Sequence, residues 1–153
     1  MSEIKILVNN SKAKYLFFLE DFLECGIELK GSEIKSIRKN GASLTDSYIV
    51  IKNDEAFILN MHIAPYEHGN SFNHEPNRTR KLLLHKNEIL KMGKKAKEKV
   101  MTIVPTKVYL KKGKVKVEIA LAKGKKLYDK RETIKKRDDE RMIAKMKKGF
   151  EKQ

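Results

Sequence analysis

Only one cysteine, Cys25, is present in the sequence, and tryptophan is absent. A lone cysteine cannot form a disulfide within the chain, which fits a reducing compartment such as the cytoplasm. The histidines lie far from Cys25 in the sequence, so we expect a small buried thiol there rather than a catalytic nucleophile. His68 and His74 share one polar segment, but without a second cysteine they do not indicate a zinc site.

Long hydrophobic runs are also missing. The longest unbroken apolar run is YLFFL at Tyr15–Leu19, far shorter than the roughly 20 residues that a membrane-spanning helix needs. The opening residues, MSEIKILVNN, do not combine a basic start with an apolar stretch, so we expect no secretion signal. The sequence therefore predicts a cytoplasmic protein without a membrane partner.

Sequence signatures of catalysis are sparse as well. The glycines stand singly, so the chain has neither a phosphate-binding loop nor a dinucleotide fingerprint. The acidic residues form no recognisable pair for acid–base chemistry. We therefore expect no catalytic residues, no metal and no cofactor, and we predict that the protein is not an enzyme.

What the sequence has in excess is positive charge, with a formal net charge of +15. Residues 1–77 carry 8 Lys and Arg against 11 Asp and Glu, whereas residues 78–99 and 123–153 each have a net charge of +7. Two separated basic blocks indicate a polyanionic partner, such as nucleic acid, contacted at two surfaces or at one extended surface. The alternative is a set of lysine-rich solvated faces without a specific partner.

Periodicity and turn residues predict about six strands and two helices in the first 122 residues. The expected strands are ILVNN, AKYLFFLEDFLECGIEL, SLTDSYIVIKND, EAFILNMHIAP, VMTIVPTKVYL and KVKVEIALA. The second of these also fits a helix by pattern alone, and the last two flank a hairpin turn at Gly113. One helix is expected at SEIKSIRKNG, capped by Ser32 and ended by Asn40 and Gly41. The other is expected at NEILKMGKKAKEK, with Asn87 as its cap.

Short antiparallel strands without a βαβ repeat favour a mainly β fold: a small closed OB-like barrel with flanking helices. We assign residues 1–123 to this barrel and residues 124–153 to a basic C-terminal tail. Only 8 of the 29 residues from Lys125 to Gln153 are apolar, too few to offset the entropy of ordering. We therefore expect the tail to be disordered when free and to order against a charged partner.

The segment NRTRKLLLHKNE, Asn77–Glu88, places Arg78, Arg80 and Lys81 directly before three leucines. We interpret the leucines as an anchor in the core that would hold the basic residues at fixed places on the surface. Ordered Arg and Lys side chains suit phosphate recognition, because they lose less freedom on binding. An ordinary core strand with a solvated basic flank is the alternative, and the spacing alone does not separate the two.

Near the end of the chain, GKKLYDKR places Tyr128 among cations. An aromatic ring among cations suits an RNA groove, where a base stacks on the ring and phosphates meet the amines. The alternatives are a tail that only aids solubility, or a membrane-surface helix with the sparse apolar face Ile143, Met146 and Phe150. Glu24, in LECGIEL, either faces solvent or accepts hydrogen bonds at a binding face.

Several motifs, taken in order, resemble a known family. They are NSKAK at Asn10–Lys14, ECGIELKGSEIKSIR at Glu24–Arg38, DSYIVI at Asp46–Ile51, IAPY at Ile63–Tyr66, NRTRKLLLHKNE at Asn77–Glu88 and ALAKGKKLYDKR at Ala120–Arg131. From about Asn10 to Arg137 the chain resembles the small protein B (SmpB) family, bacterial proteins that bind transfer-messenger RNA (tmRNA, also called SsrA RNA).

The resemblance implies an OB-like barrel that grips the elbow of the tRNA-like domain of tmRNA. Within the family motifs, Glu24, Leu83 and His85 match positions that support the RNA-binding face. With the basic residues of the motifs, the expected RNA-binding residues are Lys12, Glu24, Arg78, Arg80, Lys81, Leu83 and His85. The tail residues expected to contact the ribosome are Gly124, Lys125, Lys126, Tyr128, Asp129, Lys130 and Arg131. Tyr128 stands where many relatives carry His, and either side chain can stack.

The resemblance also implies the partners and the task. The protein would bring tmRNA to stalled ribosomes in trans-translation, with its tail in the decoding site of the small subunit and the empty mRNA channel. Elongation factor Tu and alanyl-tRNA synthetase would act on the same RNA. The alternatives are a general single-stranded RNA-binding OB protein associated with ribosomes, and a nuclease or RNA-modifying enzyme, for which the sequence offers no carboxylate cluster.

Overall fold

Strands dominate the chain in the computed structural model, which describes residues 4–39, 41–66 and 73–125. The elements of these ranges are β1 (Ile4–Asn9), α1 (Ser11–Leu16), β2 (Phe17–Ile27), α2 (Gly31–Arg38), β3 (Ala42–Ser43), β4 (Tyr48–Lys52), β5 (Glu55–Leu59), β6 (His62–Ile63), β7 (Arg80–Leu83), α3 (Lys86–Glu98), β8 (Thr102–Lys111) and β9 (Lys114–Gly124). The mainly β prediction is therefore confirmed.

Seven of the strands form one antiparallel sheet in the order β1-β8-β4-β5-β7-β2-β9, while β3 and β6 pair with each other. Strand β8 also pairs with β9 along their whole common length, from Thr102 opposite Ala122 to Lys111 opposite Lys114. The pairings from β8 through β4, β5, β7, β2 and β9 therefore return to β8 and form a ring of six strands. Strand β1 is added beside the second half of β8.

The interior of the ring is filled by side chains that alternate along each strand, as the two-residue period of a strand requires. On β9, Val117, Ile119 and Leu121 are fully buried, and Cys25 and Ile27 on β2 occupy the same core. The other strands and two helices complete this core with Ile49, Ala56, Ile58, Leu82, Ile103, Val108, Ile37, Ile89 and Met92. Each Val, Leu, Ile or Met side chain among them contributes roughly 1.5–3 kcal/mol through burial.

The hairpin predicted at Gly113 is confirmed, and a second hairpin of the same kind joins β4 to β5. Asn53 and Asp54 join β4 to β5 with φ of 53° and 60°, and Lys112 and Gly113 join β8 to β9 with φ of 52° and 76°. Two positive φ values in a two-residue turn match the right-handed twist of the flanking strands, which is why such turns connect hairpins.

The strand predicted over AKYLFFLEDFLECGIEL is wrong in its first part, because Ser11–Leu16 form helix α1 and β2 begins only at Phe17. Ala13 on α1 packs against Val104 and Ala122 on the outside of the ring, a tertiary contact that selects the helix. The strand predicted over EAFILNMHIAP is divided in two at Asn60, whose φ is 62°.

The two predicted longer helices are confirmed, but their predicted caps are wrong. The residues that cap α2 and α3 are Lys30 and His85, not Ser32 and Asn87. In both helices the glutamate at the third helical position accepts a hydrogen bond from the backbone N–H of the capping residue. In α2, Glu33 accepts from the N–H of Lys30 at 2.8 Å. The glutamate of α3 does the same to the N–H of His85 at 3.1 Å. Asn40 lies outside the described residues. None of the helices in the described ranges is long and apolar enough to cross a bilayer.

Candidate nucleic-acid interface

Residues that alternate with the core on β2, β7, β8 and β9 lie on the outer side of the ring, opposite one another on neighbouring strands. Glu24 and Gly26 flank the buried Cys25 on β2, and Leu83 lies opposite Gly26 on β7. Glu118 lies opposite Glu24. We call this surface the outer face, and its residues are Glu24, Gly26, Leu83, Lys107, Tyr109, Lys111, Lys116 and Glu118.

Glu24 lies at the centre of a hydrogen-bonded group on the outer face. The Tyr109 hydroxyl donates to its Oε2 at 2.5 Å, and Lys111 Nζ donates to the same oxygen at 3.3 Å. The bond from Tyr109, with the help of Lys111, holds the pKa of Glu24 below its usual range. Burial and the neighbouring carboxylate raise the pKa of Tyr109. Glu24 is therefore ionised and Tyr109 neutral at neutral pH.

The carboxylate of Glu24 keeps the capacity to accept further bonds. Its side chain is 39% exposed. Both of the hydrogen bonds it makes within the described residues go to Oε2, which leaves Oε1 as an acceptor. Tyr109 fixes the carboxylate in place. Its Oε1 atom can therefore accept hydrogen bonds from amino groups of bases or from ribose hydroxyls with little loss of side-chain freedom.

Leu83 gives the outer face an apolar element beside Glu24. Its side chain is 48% exposed although it follows the fully buried Leu82. A Cβ atom on Gly26 would lie 3.2 Å from Cβ of Leu83, so the glycine provides the space that this leucine occupies. His85, two residues further, is exposed at the start of α3. The structure thus places Leu83 on the same outer side of the ring as Glu24, which is distant from it in sequence, and His85 follows Leu83 by two residues.

Arg80 does not lie on the surface, so its predicted surface position is wrong. Its guanidinium is fully buried and its Nε donates to the equally buried Glu33. Further bonds go to the carbonyls of Met61 at 2.7 Å and Pro76 at 3.2 Å. The reason is the two-residue period of β7, which puts Arg80 on the same inward side as Leu82.

Glu33 was not recognised from the sequence as part of this arrangement. Burial alone would raise the pKa of Glu33, but hydrogen bonds from Arg78, the N–H of Lys30 and Arg80 outweigh burial and lower it. Arg78 contributes the bond from Nη2 to Oε1 at 2.6 Å, and its side chain remains 28% exposed. The buried pair therefore fastens the start of β7 to α2 and leaves only Arg78 near the surface.

The remaining predicted cations are engaged in ion pairs at the surface. Lys81 Nζ lies 3.4 Å from Glu55, and Lys12 Nζ lies 3.6 Å from Asp46. The lysine side chains are 36% and 46% exposed, respectively. Exposed pairs of this kind are worth at most about 1 kcal/mol, so a phosphate can compete for the lysines.

The start of the predicted tail is attached to the ring. Gly124 is the last residue of β9 and pairs with Phe17, and the N–H of Lys125 donates to the carbonyl of Leu16 at 3.1 Å. Lys125 Nζ lies 5.1 Å from the ring centroid of Phe18. The other predicted ribosome-contacting residues, Lys126, Tyr128, Asp129, Lys130 and Arg131, lie outside the described residues.

Cys25 is buried in the core, with 1% of its surface exposed, and burial raises the pKa of its thiol to about 12. The thiol is therefore protonated at neutral pH and buried, as predicted. His74 is also buried, with Nδ1 2.9 Å from Ser32 Oγ and Nε2 2.8 Å from the carbonyl of Ile63. In the described part of the chain, no group of three or more His, Cys, Asp or Glu side chains is arranged to hold a metal.

The outer face and the charge together define a class of protein: a small antiparallel β protein that presents lysines and fixed hydrogen-bond acceptors, as nucleic-acid-binding domains do. Comparison with known protein families identifies the family within this class. The family model described as SmpB protein matches residues 7–149. The chain therefore belongs to the SmpB family, and the resemblance seen in its sequence is confirmed.

Similar proteins agree with this assignment. An SsrA-binding protein of Malacoplasma penetrans is 56% identical over 142 residues, which are 93% of this chain and 97% of that protein. An SsrA-binding protein of Persephonella marina is 56% identical over 146 residues, 95% and 96% of the two chains. A chain of the solved structure "tmRNA-SmpB: a journey to the center of the bacterial ribosome" is 39% identical with a TM-score of 0.68, covering 82% of this chain and 92% of that one.

Proposed function

We propose that this chain is an RNA-binding adaptor of trans-translation, which binds the tRNA-like domain of tmRNA and brings it to stalled ribosomes. The observation that carries the proposal is the 56% identity, along nearly the full length of both chains, with a protein named SsrA-binding protein. The similar solved structure, named for tmRNA and SmpB in the bacterial ribosome, supports the same function.

The outer face is the proposed site for the elbow of the RNA. Glu24 accepts hydrogen bonds there, Leu83 gives apolar contact to a sugar or base, and His85 contacts the RNA at the start of α3. Lys12, Arg78 and Lys81 neutralise phosphates of the same RNA. In this proposal Arg80 makes no RNA contact, because its donors are used inside the protein, and instead it holds Arg78 in position.

The strand ring is proposed to be an OB-like barrel, a fold that commonly presents one strand surface to nucleic acid. Residues 1–123 form this body, and residues 124–153 form the tail that enters the decoding site and the mRNA channel. There Lys126, Lys130 and Arg131 replace counterions of ribosomal RNA, and Tyr128 stacks. Elongation factor Tu and alanyl-tRNA synthetase act on the same RNA in the cytoplasm, and the chain itself performs no catalysis.

The test is to recover the full-length protein from bacterial cells that express it and to sequence the RNA that comes with it. The proposal expects one dominant species, tmRNA. A broad mixture of RNAs would favour a general single-stranded RNA-binding protein, and a competition titration with unrelated structured RNA would separate the two. Incubation of tmRNA with the protein and Mg²⁺ should leave the RNA intact, whereas turnover would indicate a nuclease.

A further inference from the structure

Two aromatic side chains on β2 remain exposed beside the outer face. Phe18 is 52% exposed and Phe22 is 56% exposed. Phe22 lies in a β-bulge, where it and Asp21 together stand opposite the single residue Ala120 of β9. Asp21 has a φ of 54°, and its carboxylate is held by Lys95 of α3 at 3.0 Å. Bulges re-aim side chains, and this one places a phenyl ring at the surface.

The exposed rings line a depression of about 390 Å³ that also has a cationic wall. Its aromatic residues are Phe17, Phe18 and Phe22, and its cations are Lys14, Lys107 and Lys125. We call this depression the phenylalanine pocket. Its volume is within the roughly 300–1,000 Å³ that small-ligand sites occupy, enough for one nucleotide.

The cations lie close to the rings and to the outer face. Lys125 Nζ is 5.1 Å from the centroid of Phe18, and Lys107 Nζ is 5.5 Å from the centroid of Tyr109. Lys107 also lies 3.6 Å from Glu118, whose carboxylate accepts from Thr106 at 2.7 Å. Lys107 and Glu118 therefore belong both to the phenylalanine pocket and to the outer face, so the two surfaces are continuous.

We propose that the phenylalanine pocket binds one unpaired nucleotide of RNA, with its base stacked on Phe22 or Phe18 and its phosphate at Lys14, Lys107 or Lys125. Exposed phenyl rings stack on any base, and the amines supply the charge that a phosphate requires. A protein partner fits less well, because the centre of a protein interface is depleted in lysine. The inference rests on the proposed function, since RNA on the outer face would bring a nucleotide to this pocket.

The test measures the dissociation constant of the full-length protein for an in vitro transcript of the tRNA-like domain, at several salt concentrations. Phe18→Leu/Phe22→Leu, which removes both exposed rings, is expected to weaken binding about fivefold to a hundredfold, the cost of one lost stack. The dependence on salt should not change, because no charge is removed. Among Lys14→Ala, Lys107→Ala and Lys125→Ala, the variant that removes the phosphate contact should instead lower the slope of log K against log salt by about 0.7–0.9.

The matched control is Leu90→Ala, which alters an exposed apolar side chain on α3 and should leave RNA binding unchanged. A second control, Phe18→Tyr/Phe22→Tyr, keeps both aromatic rings and should bind RNA like the unsubstituted chain. Thermal melts verify that each variant is folded. Equal binding by the leucine variant and the unsubstituted chain overturns the pocket but not the proposed function. Equal losses in the leucine and tyrosine variants also overturn stacking. No RNA binding by the unsubstituted chain overturns both.

Discussion

The hydroxyl of Tyr109 on β8 donates a 2.5 Å hydrogen bond to the carboxylate of Glu24 on β2, reaching across the intervening strand β9. The two residues are 85 positions apart in sequence. Tyr109 is 3% exposed while Glu24 remains accessible, so a fixed donor orients a surface acceptor. This relationship makes Glu24 a positioned acceptor rather than an ordinary solvated carboxylate.

Tyr109→Phe removes the donor and should raise the pKa of Glu24 towards its ordinary value of about 4.3. The native pKa of Glu24 is lowered, so its contribution to stability is present above the unfolded pKa and is lost as pH falls through the folded pKa. The variant should lose about 1 kcal/mol at pH 7, because the carboxylate is partly solvated. Urea unfolding between pH 7 and pH 3 checks this, and a difference that persists unchanged at pH 3 would contradict it.

Glu24→Ala and His85→Ala should each weaken binding of the tRNA-like domain by about tenfold, a typical cost of one lost polar contact to RNA of 1–2 kcal/mol. Their melting temperatures should change much less than their affinities. Glu98→Ala is the matched control, because it removes another exposed carboxylate, at the C-terminal end of α3. If the control weakens RNA binding as much as Glu24→Ala does, the assignment of the outer face is wrong.

Glu33→Ala leaves the buried guanidinium of Arg80 without its counterion and should cost about 3–5 kcal/mol of unfolding free energy. Replacing both residues, as Glu33→Leu/Arg80→Met, should recover much of this loss, because no unpaired buried charge remains. Urea titration followed by circular dichroism measures all three proteins. A double variant less stable than Glu33→Ala would show that the pair stabilises the fold in another way.

Removing residues 126–153 leaves β9 complete and keeps Lys125 and its bond to Leu16. The truncated chain should bind the tRNA-like domain with nearly the same affinity at physiological salt but should no longer support tagging of stalled peptides. A gel-shift titration and a reconstituted tagging assay, run on both chains, measure these two activities. Loss of RNA affinity on truncation would argue against separate roles for body and tail.

Cys25 should react with iodoacetamide only when the protein unfolds. Burial closes access to the thiol and raises its pKa to about 12, so hardly any thiolate is present at pH 8. Mass spectrometry with and without urea should show slow labelling of the native protein and rapid labelling of the unfolded one. Equal labelling rates would mean that this part of β2 opens readily.

Only part of the candidate site could be predicted from the sequence. Family motifs pointed to Glu24, Leu83 and His85, and the structure places Glu24 and Leu83 on the same outer side of the ring. The predicted surface position of Arg80 was wrong, although the alternation of Arg80 and Leu82 along β7 indicated an inward side chain. Tyr109 and Lys111 were missed, because the register of β8 and β9 against β2 is required to connect them to Glu24.

The sequence by itself determined the local features: the turns at Asn53 and Gly113, the alternating core side of β9, the two basic blocks and the family. Each depends on residues that are neighbours in the chain, where backbone preference and periodicity act directly. Only the tertiary structure decided that Ser11–Leu16 form a helix, that Arg80 pairs with Glu33, and that Tyr109 fixes Glu24. These depend on contacts between segments 45 or more residues apart, whose energies exist only once the ring has closed.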